Sequence, residues 1–183
     1  MWRSCSAGGL VQVARDGRHR YYAIASADVA HAMEALGAIA SRRTRKPLGE
    51  DDAICYARTC YDHLAGKLAI ELADAFESRA LIVPDGRRYR VTGRGRDFVR
   101  EWQIDADELK RGRRAFAIRC LDWTERRNHL AGALGAAICE RLLAERWIKR
   151  LPGTRAVRLT GKGAEELTSL LGRKSRSMLW RVV

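Results

Sequence analysis

The sequence predicts an α+β fold that is mostly helical and is built from a repeated unit of two strands and a helix. Two internal matches support this prediction. The segment His63-Leu-Ala-Gly66 recurs as His129-Leu-Ala-Gly132, and Arg90-Val-Thr-Gly-Arg-Gly95 recurs as Arg158-Leu-Thr-Gly-Lys-Gly163. Hydrophobic residues make up 46% of the chain, which is enough for a packed core and too much for a disordered polycation.

The first unit lies near the N-terminus. A hairpin is predicted over residues 9–24 because strand-like runs flank an Asp16-Gly17 turn. A helix follows this hairpin, and its apolar residues recur at helical spacing on one face: Val29, Met33, Leu36 and Ala40.

The two later units each begin with a predicted amphipathic helix. Apolar residues at helical spacing define one face in each copy: Ile54, Ala57, Tyr61, Leu64 and Leu68, then Leu130, Leu134, Ile138 and Leu142. Hairpins follow around Pro84 and Pro152, each between two short strand-like runs. Thr92 and Thr160 then suit the N-caps of the closing helices.

This pattern divides the chain into four parts. A basic, proline-containing linker separates the first unit from the two later ones. The predicted boundaries are 1–41 for the first unit, 42–52 for the linker, 53–172 for a C-terminal region with repeats at 53–109 and 110–172, and 173–183 for a basic tail.

A hairpin followed by a closing helix is typical of the wing of a winged-helix domain. The predicted fold is therefore a winged-helix remnant followed by two winged-helix-like repeats. The hairpin over residues 9–24 and the Ala-rich helix after it resemble the wing and last helix of ArsR-type winged-helix repressors. The stretches 60–66 and 120–132 resemble the C-terminal extension of a long branch of these regulators. The resemblance implies a dimeric bacterial transcriptional regulator that binds double-stranded DNA and releases its operator when an effector binds.

The chain also differs from that family in two respects. In ArsR-type regulators about four helices precede the wing, including the recognition helix that enters the major groove. Here residues 1–8 precede it, so we expect the recognition helix to be missing through a misassigned start, a frameshift or the boundary of a fragment. The positions that align with the family's metal ligands read Ser26, Asp28, Ile39 and Arg42, which do not form a metal site.

The charge of the chain indicates a polyanionic partner. There are 35 Lys and Arg against 22 Asp and Glu, a net charge of +13. Nucleic acid is the first expectation and an anionic membrane surface the second. The predicted phosphate contacts are the cations of the first hairpin: Arg15, Arg18, His19 and Arg20. The predicted dimer contacts lie on the helix that follows: Val29, Met33 and Leu36.

Other classes of protein are disfavoured by what the sequence lacks. Its apolar runs fall well short of the ~20 residues that a membrane helix needs, and its first residues do not form an export signal. We therefore expect a cytoplasmic protein with no membrane partner. Without a Walker motif, a nucleophile elbow or a zinc-protease motif, we expect neither an enzyme nor a bound cofactor.

The cysteines and histidines offer a second, less favoured kind of site. Cys60 and His63 are the candidates for a thiol- or metal-binding role, which Cys120, His129 and Cys139 could join across the repeat. If this segment is helical, Cys55 and Cys60 point in different directions. We therefore expect no metal and assign the two histidines to helix packing. The alternative function is a module that senses a small-molecule or thiol-reactive effector, or dimerises, without binding DNA specifically by itself.

Overall fold

The N-terminal region folds as predicted around its hairpin. The computed structural model describes residues 2–17, 19–39 and 53–171. The elements of this region are α1 (Trp2–Ala7), β1 (Val11–Asp16), β2 (His19–Ile24) and α2 (Ala27–Ile39). The two strands pair antiparallel from Val11↔Ile24 to Asp16↔His19. Gly17 occupies the turn at a φ of 55°, a conformation that glycine adopts at little cost.

Two similar units make up the C-terminal region, and the first begins with an additional short helix. The first contains α3 (Ala53–Tyr56), β3 (Arg58–Cys60), β4 (His63–Ala65), α4 (Lys67–Ser78), β5 (Ile82–Asp85), β6 (Arg88–Val91) and α5 (Gly93–Glu101). A connecting helix, α6 (Ala106–Arg111), follows. The second contains β7 (Ile118–Leu121), β8 (Asn128–Ala131), α7 (Gly132–Ala144), β9 (Ile148–Arg150), β10 (Val157–Leu159) and α8 (Gly161–Leu171).

The strands of the two units pair with one another in a reciprocal way. Strand β6 of the first unit joins β7 of the second, which produces a four-stranded sheet in the order β5-β6-β7-β8. At the equivalent place, Arg58 of β3 forms a bridge with Ala156 beside β10. The main-chain bonds match as well, since Tyr89 N donates to Ala117 O and Val157 N donates to Ala57 O. The two units are thus related by an approximate two-fold axis.

The predicted fold class is wrong. Among the residues that the structure describes, roughly 45% are in helices and 27% in strands, with the strands in four small antiparallel sheets, so the fold is neither mostly helical nor a winged-helix remnant with two winged-helix-like repeats. In the first C-terminal unit a short helix and a β-hairpin lie where one long helix was predicted over residues 54–68, whereas the helix predicted in the second unit is present as α7 from Gly132. The helix cannot extend back through Gly66, because the φ of 88° at this residue is not a helical angle. The position also requires glycine, since a Cβ there would lie 2.7 Å from Cys55 O. Gly132 has the same role in the second unit, with a φ of 83°.

The hydrophobic core lies between the two units. Helix α4 packs on β8 of the second unit, and α7 packs on β4 of the first. The aromatic rings of Trp102 and Trp147, one from each unit, meet edge to face with centroids 5.5 Å apart. Because each large buried side chain contributes about 1.5–3 kcal/mol, this shared core stabilises the two units against each other.

The closing helices begin as the sequence predicts. Thr92 accepts a hydrogen bond from Gly95 N, and Thr160 accepts one from Gly163 N, both at 3.0 Å. The repeated glycines allow close packing. A Cβ on Gly95 would lie 2.1 Å from Leu81 O, and one on Gly163 would lie 2.2 Å from Trp147 O. The repeated Thr-Gly-x-Gly pattern therefore reflects helix capping and close approach of the backbone.

Candidate functional site

The basic hairpin presents cations on both strands. Arg15 and Arg20 are opposite each other in the register of β1 and β2, and both are exposed. His19 pairs with Asp16 at the end of the ladder, and Arg18 lies outside the described residues. Exposed guanidinium groups beside a tight turn can reach a phosphate backbone without first leaving water. Contact with DNA by these residues stays a prediction.

Helix α2 has one buried face and one exposed apolar face. Ala30 and Glu34 are buried against the C-terminal units, and Gly37 lies close to Trp123, where an added Cβ would be 3.5 Å from the Trp123 Cβ. The predicted dimer residues face elsewhere. Val29 is half-buried, while Met33 and Leu36 are 56% and 67% exposed. Large apolar side chains left in water are available to a partner, and the dimer contact stays a prediction.

A buried ion pair that sequence reasoning missed lies between the two units. Arg58 Nη2 donates to Asp122 Oδ2 at 2.9 Å, and neither side chain is exposed. The Arg58 guanidinium also lies over the Trp123 ring, with its Cζ 4.8 Å from the ring centroid. Glu34 of α2 approaches the same guanidinium, with Oε2 3.6 Å from Nη2. Arg58 therefore links the N-terminal helix to both C-terminal units.

Asp122 is held in its charged form by several donors. Its Oδ2 also accepts from Gly66 N at 2.7 Å, and its Oδ1 accepts from Thr124 N at 2.8 Å and from Glu125 N at 3.1 Å. Burial by itself would raise the pKa of Asp122. The charge of Arg58 and these hydrogen bonds outweigh burial and lower that pKa to about 2.

Four buried side chains with metal-binding atoms meet beside this ion pair. We call Cys60, His63, Cys120 and His129 the Cys–His cluster. The ligand atoms of the four residues all lie within 4.8 Å of one another. The two imidazole rings are stacked with centroids 5.1 Å apart, and their Nε2 atoms are separated by 3.1 Å.

The β-hairpins place these four residues. In the first unit Cys60 and His63 are cross-strand partners in the register of β3 and β4. In the second unit Cys120 and His129 are partners in the register of β7 and β8. Each hairpin therefore presents one thiol and one imidazole on opposite strands, and the approximate two-fold axis brings the two pairs together.

A carboxylate accompanies each histidine of the Cys–His cluster. Asp62 Oδ1 lies 3.5 Å from His63 Nδ1, and Asp122 Oδ2 lies 3.8 Å from His129 Nδ1. Burial would lower the pKa of His63, but its contacts with Asp62 and Cys60 outweigh burial and raise it. The pKa of the Cys60 thiol is raised, first by its hydrogen bond with Cys120 and then by burial. Both effects favour the neutral thiol form of Cys60.

The sequence identified this cluster in part. It singled out Cys60 and His63 and named Cys120 and His129 as residues that could join them. Cys55 and Cys139 are not members of the cluster. The objection that Cys55 and Cys60 diverge on a helix does not apply, because Cys60 lies on a strand. A signal for Asp122 was present in the sequence, since Asp122 follows Cys120 by two positions as Asp62 follows Cys60.

A comparison with curated proteins shows the class of this protein. The chain is 41% identical over 157 residues to a protein of Bacillus subtilis (strain 168) named uncharacterized HTH-type transcriptional regulator YdfF, an alignment that spans 84% of this chain and 70% of YdfF. The chain belongs to the HTH-type transcriptional regulators. The prediction that this chain is a transcriptional regulator is thereby confirmed. No protein-family model and no solved structure matches the chain.

The helices of this HTH-type regulator are short and polar in part. Across residues 2–17, 19–39 and 53–171, the structure contains no helix whose length and apolar character would let it cross a lipid bilayer.

Proposed function

We propose that this HTH-type regulator is a cytoplasmic, dimeric transcriptional repressor of the ArsR type that binds double-stranded DNA. The observation that supports this function is the 41% identity to YdfF over 157 residues. The net charge of +13 agrees with it, because a protein that neutralises phosphates gains affinity by releasing condensed counterions.

The basic hairpin is the proposed contact with the DNA backbone. Arg15 and Arg20 are exposed and lie opposite each other, so both can reach phosphates on the same side of the hairpin. Contacts to phosphate fix the position of a protein on the duplex but carry no sequence information. We therefore assign affinity to this hairpin and the choice of operator to a recognition helix outside it.

Fluorescence anisotropy with labelled duplexes tests the proposed contact. The full chain is titrated with the DNA upstream of its own gene and with a scrambled duplex at two or more salt concentrations. In the double variant Arg15→Gln/Arg20→Gln, we expect the slope of log affinity against log salt to become shallower by about 2, because each phosphate that the protein no longer neutralises lowers the slope by close to one.

The matched control replaces two arginines in another exposed hairpin. Arg87→Gln/Arg90→Gln removes the same charge from the β5–β6 hairpin, where both side chains are also exposed. We expect the salt slope of this control to change by less than half as much. Equal slopes in the two variants would show that net charge, and not the first hairpin, attracts DNA. A chain that does not bind either duplex at low salt would refute the DNA-binding function.

Repression is tested separately in cells. A reporter placed under the upstream DNA is compared in strains with and without this gene. Repression predicts higher reporter output in the strain that lacks it, and lower output there would contradict a repressor. Equal in vitro affinity for the upstream and scrambled duplexes would show that the titrated chain does not itself select the operator.

A further inference from the structure

The Cys–His cluster has the donor set of a zinc site. Two sulfur and two imidazole nitrogen atoms, all from buried side chains, converge within 4.8 Å of one another. Thiolate and imidazole are the ligands that Zn²⁺ takes in closed four-coordinate sites. We propose that Cys60, His63, Cys120 and His129 together bind one Zn²⁺ ion. This site goes beyond the proposed function and does not depend on it.

The distances suit a tetrahedral ion. With Zn–S near 2.3 Å and Zn–N near 2.0–2.1 Å, ligand atoms of a tetrahedral site lie about 3.3–3.8 Å apart. The Nε2 atoms of His63 and His129 are 3.1 Å apart, already close to that separation. Bringing the farthest pair of donors, 4.8 Å apart at most, into range takes a movement of about 1 Å.

The carboxylates beside the two imidazoles favour an ion between the rings. A carboxylate beside Nδ1 favours the tautomer that carries its proton there, which leaves Nε2 as a bare electron pair. Asp62 is placed in this way at His63 and Asp122 at His129. The two Nε2 atoms lie 3.1 Å apart, so one cation between the rings could be bound by both. Histidine ligands of metals commonly have such a carboxylate on their other nitrogen.

The charges of the occupied site balance. Zn²⁺ binding to Cys60 and Cys120 forms two Zn–S bonds and releases two thiol protons to solvent, with no change in oxidation state. Two thiolates neutralise the charge of the ion, so the buried centre gains no net charge. All four ligands come from protein, which is the pattern of a structural zinc and not of a catalytic one with an open position. Such an ion would join the β3–β4 hairpin to the β7–β8 hairpin.

Metal content and ligand type in the full-length wild-type chain are the first test. The chain is loaded with Zn²⁺, dialysed against metal-free buffer and measured by elemental analysis and X-ray absorption spectroscopy. We expect one Zn²⁺ per chain, with two sulfur neighbours near 2.3 Å and two nitrogen neighbours near 2.0 Å. This measurement needs no variant, so it is unaffected by misfolding.

Variants then test the identity of the ligands and their carboxylate. Cys60→Ala should lose bound Zn²⁺, whereas Cys139→Ala, which removes a buried cysteine outside the Cys–His cluster, should keep it. Asp62→Asn should weaken Zn²⁺ binding about 10- to 100-fold. Its matched control is Asp74→Asn, because Asp74 pairs with Arg127 as Asp62 pairs with Arg114. Unlike Asp62, Asp74 forms no ion pair with a histidine among the residues that the structure describes. The control should bind Zn²⁺ as the wild type does.

Several results would overturn the proposal. In the wild type, these are fewer than one Zn²⁺ per chain or an X-ray absorption spectrum without two sulfur neighbours. Among the variants, it is an equal loss of metal in Cys60→Ala and Cys139→Ala. A metal-free chain with a Cys60–Cys120 disulfide would also overturn it. None of these measurements uses DNA, so their failure leaves the proposed function intact.

Discussion

The Arg58 guanidinium donates to the Asp122 carboxylate at 2.9 Å in a position where neither side chain is exposed. Removing one member of a buried pair leaves the other charge without compensation, which costs about 3–5 kcal/mol. We therefore expect Arg58→Met to lower the free energy of unfolding by about that amount, measured by urea denaturation followed by circular dichroism.

The control for this prediction is an exposed pair of the same kind. Arg127 donates to Asp74 with Nη1 and Oδ2 3.0 Å apart, and these side chains are 57% and 44% exposed. Arg127→Met should cost about 0–1 kcal/mol. Equal losses in Arg58→Met and Arg127→Met would contradict a special role for the buried pair.

A second prediction concerns the glycines at the start of the closing helices. Gly95→Ala places a Cβ 2.1 Å from Leu81 O, and Gly163→Ala places one 2.2 Å from Trp147 O. Since a backbone oxygen cannot rotate away as a side chain can, each variant should lose about 1–3 kcal/mol of unfolding free energy. Thermal and urea denaturation measure this loss.

Neighbouring glycines in the same two motifs give matched controls. A Cβ on Gly93 or on Gly161 would meet no atom within 4 Å. Gly93→Ala and Gly161→Ala should leave stability within about 1 kcal/mol of the wild type. Loss of stability in these variants equal to that of Gly95→Ala would show that the helix start, and not the close approach of the backbone, needs glycine.

The sequence predicted local features of the fold better than the pairing of distant ones. The caps at Thr92 and Thr160 depend on residues three positions away, so a short motif reveals them. The helix predicted through Ala57 and Leu64 was wrong because both residues lie in or beside a hairpin whose strands are entirely buried. A strand buried on both faces lacks the alternation that identifies strands, and its apolar residues can match helical spacing by chance.

The candidate site shows the same limit. Cys60 and His63 are close in sequence and were singled out from it. The pairing of Arg58 with Asp122 spans 64 positions and depends on how the two units meet. A charged pair at that separation leaves no periodic pattern in the sequence, and only the reciprocal pairing of the units brings it together.

A third prediction concerns the attachment of helix α2. Glu34 is buried at 6% exposure and lies 3.2 Å from Arg155 and 3.6 Å from Arg58. Replacing its carboxylate with leucine removes the compensating charge and should loosen this helix from the C-terminal units at a cost of about 1–3 kcal/mol. In Glu34→Leu we expect faster amide hydrogen exchange over residues 27–39 and little change over 93–101.

The control for α2 removes an acidic group at the surface. Glu145 forms ion pairs with Arg141 and Lys162 on partly exposed side chains. Glu145→Leu should leave exchange over residues 27–39 at the wild-type rate. Unchanged exchange in Glu34→Leu would show that apolar packing at Ala30 and Gly37 holds the helix without help from the charges.

The last prediction tests the proposed dimer contact. Met33 and Leu36 are large exposed apolar residues of α2, with exposures of 56% and 67%, and burying them in a partner would supply much of the energy of association. In Met33→Lys/Leu36→Lys we expect the dissociation constant of the dimer to rise at least tenfold, measured by light scattering during size-exclusion chromatography and by analytical ultracentrifugation. Leu121→Lys is the control, because Leu121 is an exposed apolar residue outside α2, on β7. A dimer that withstands the double variant, or that Leu121→Lys disrupts equally, would place the contact between copies elsewhere on the chain.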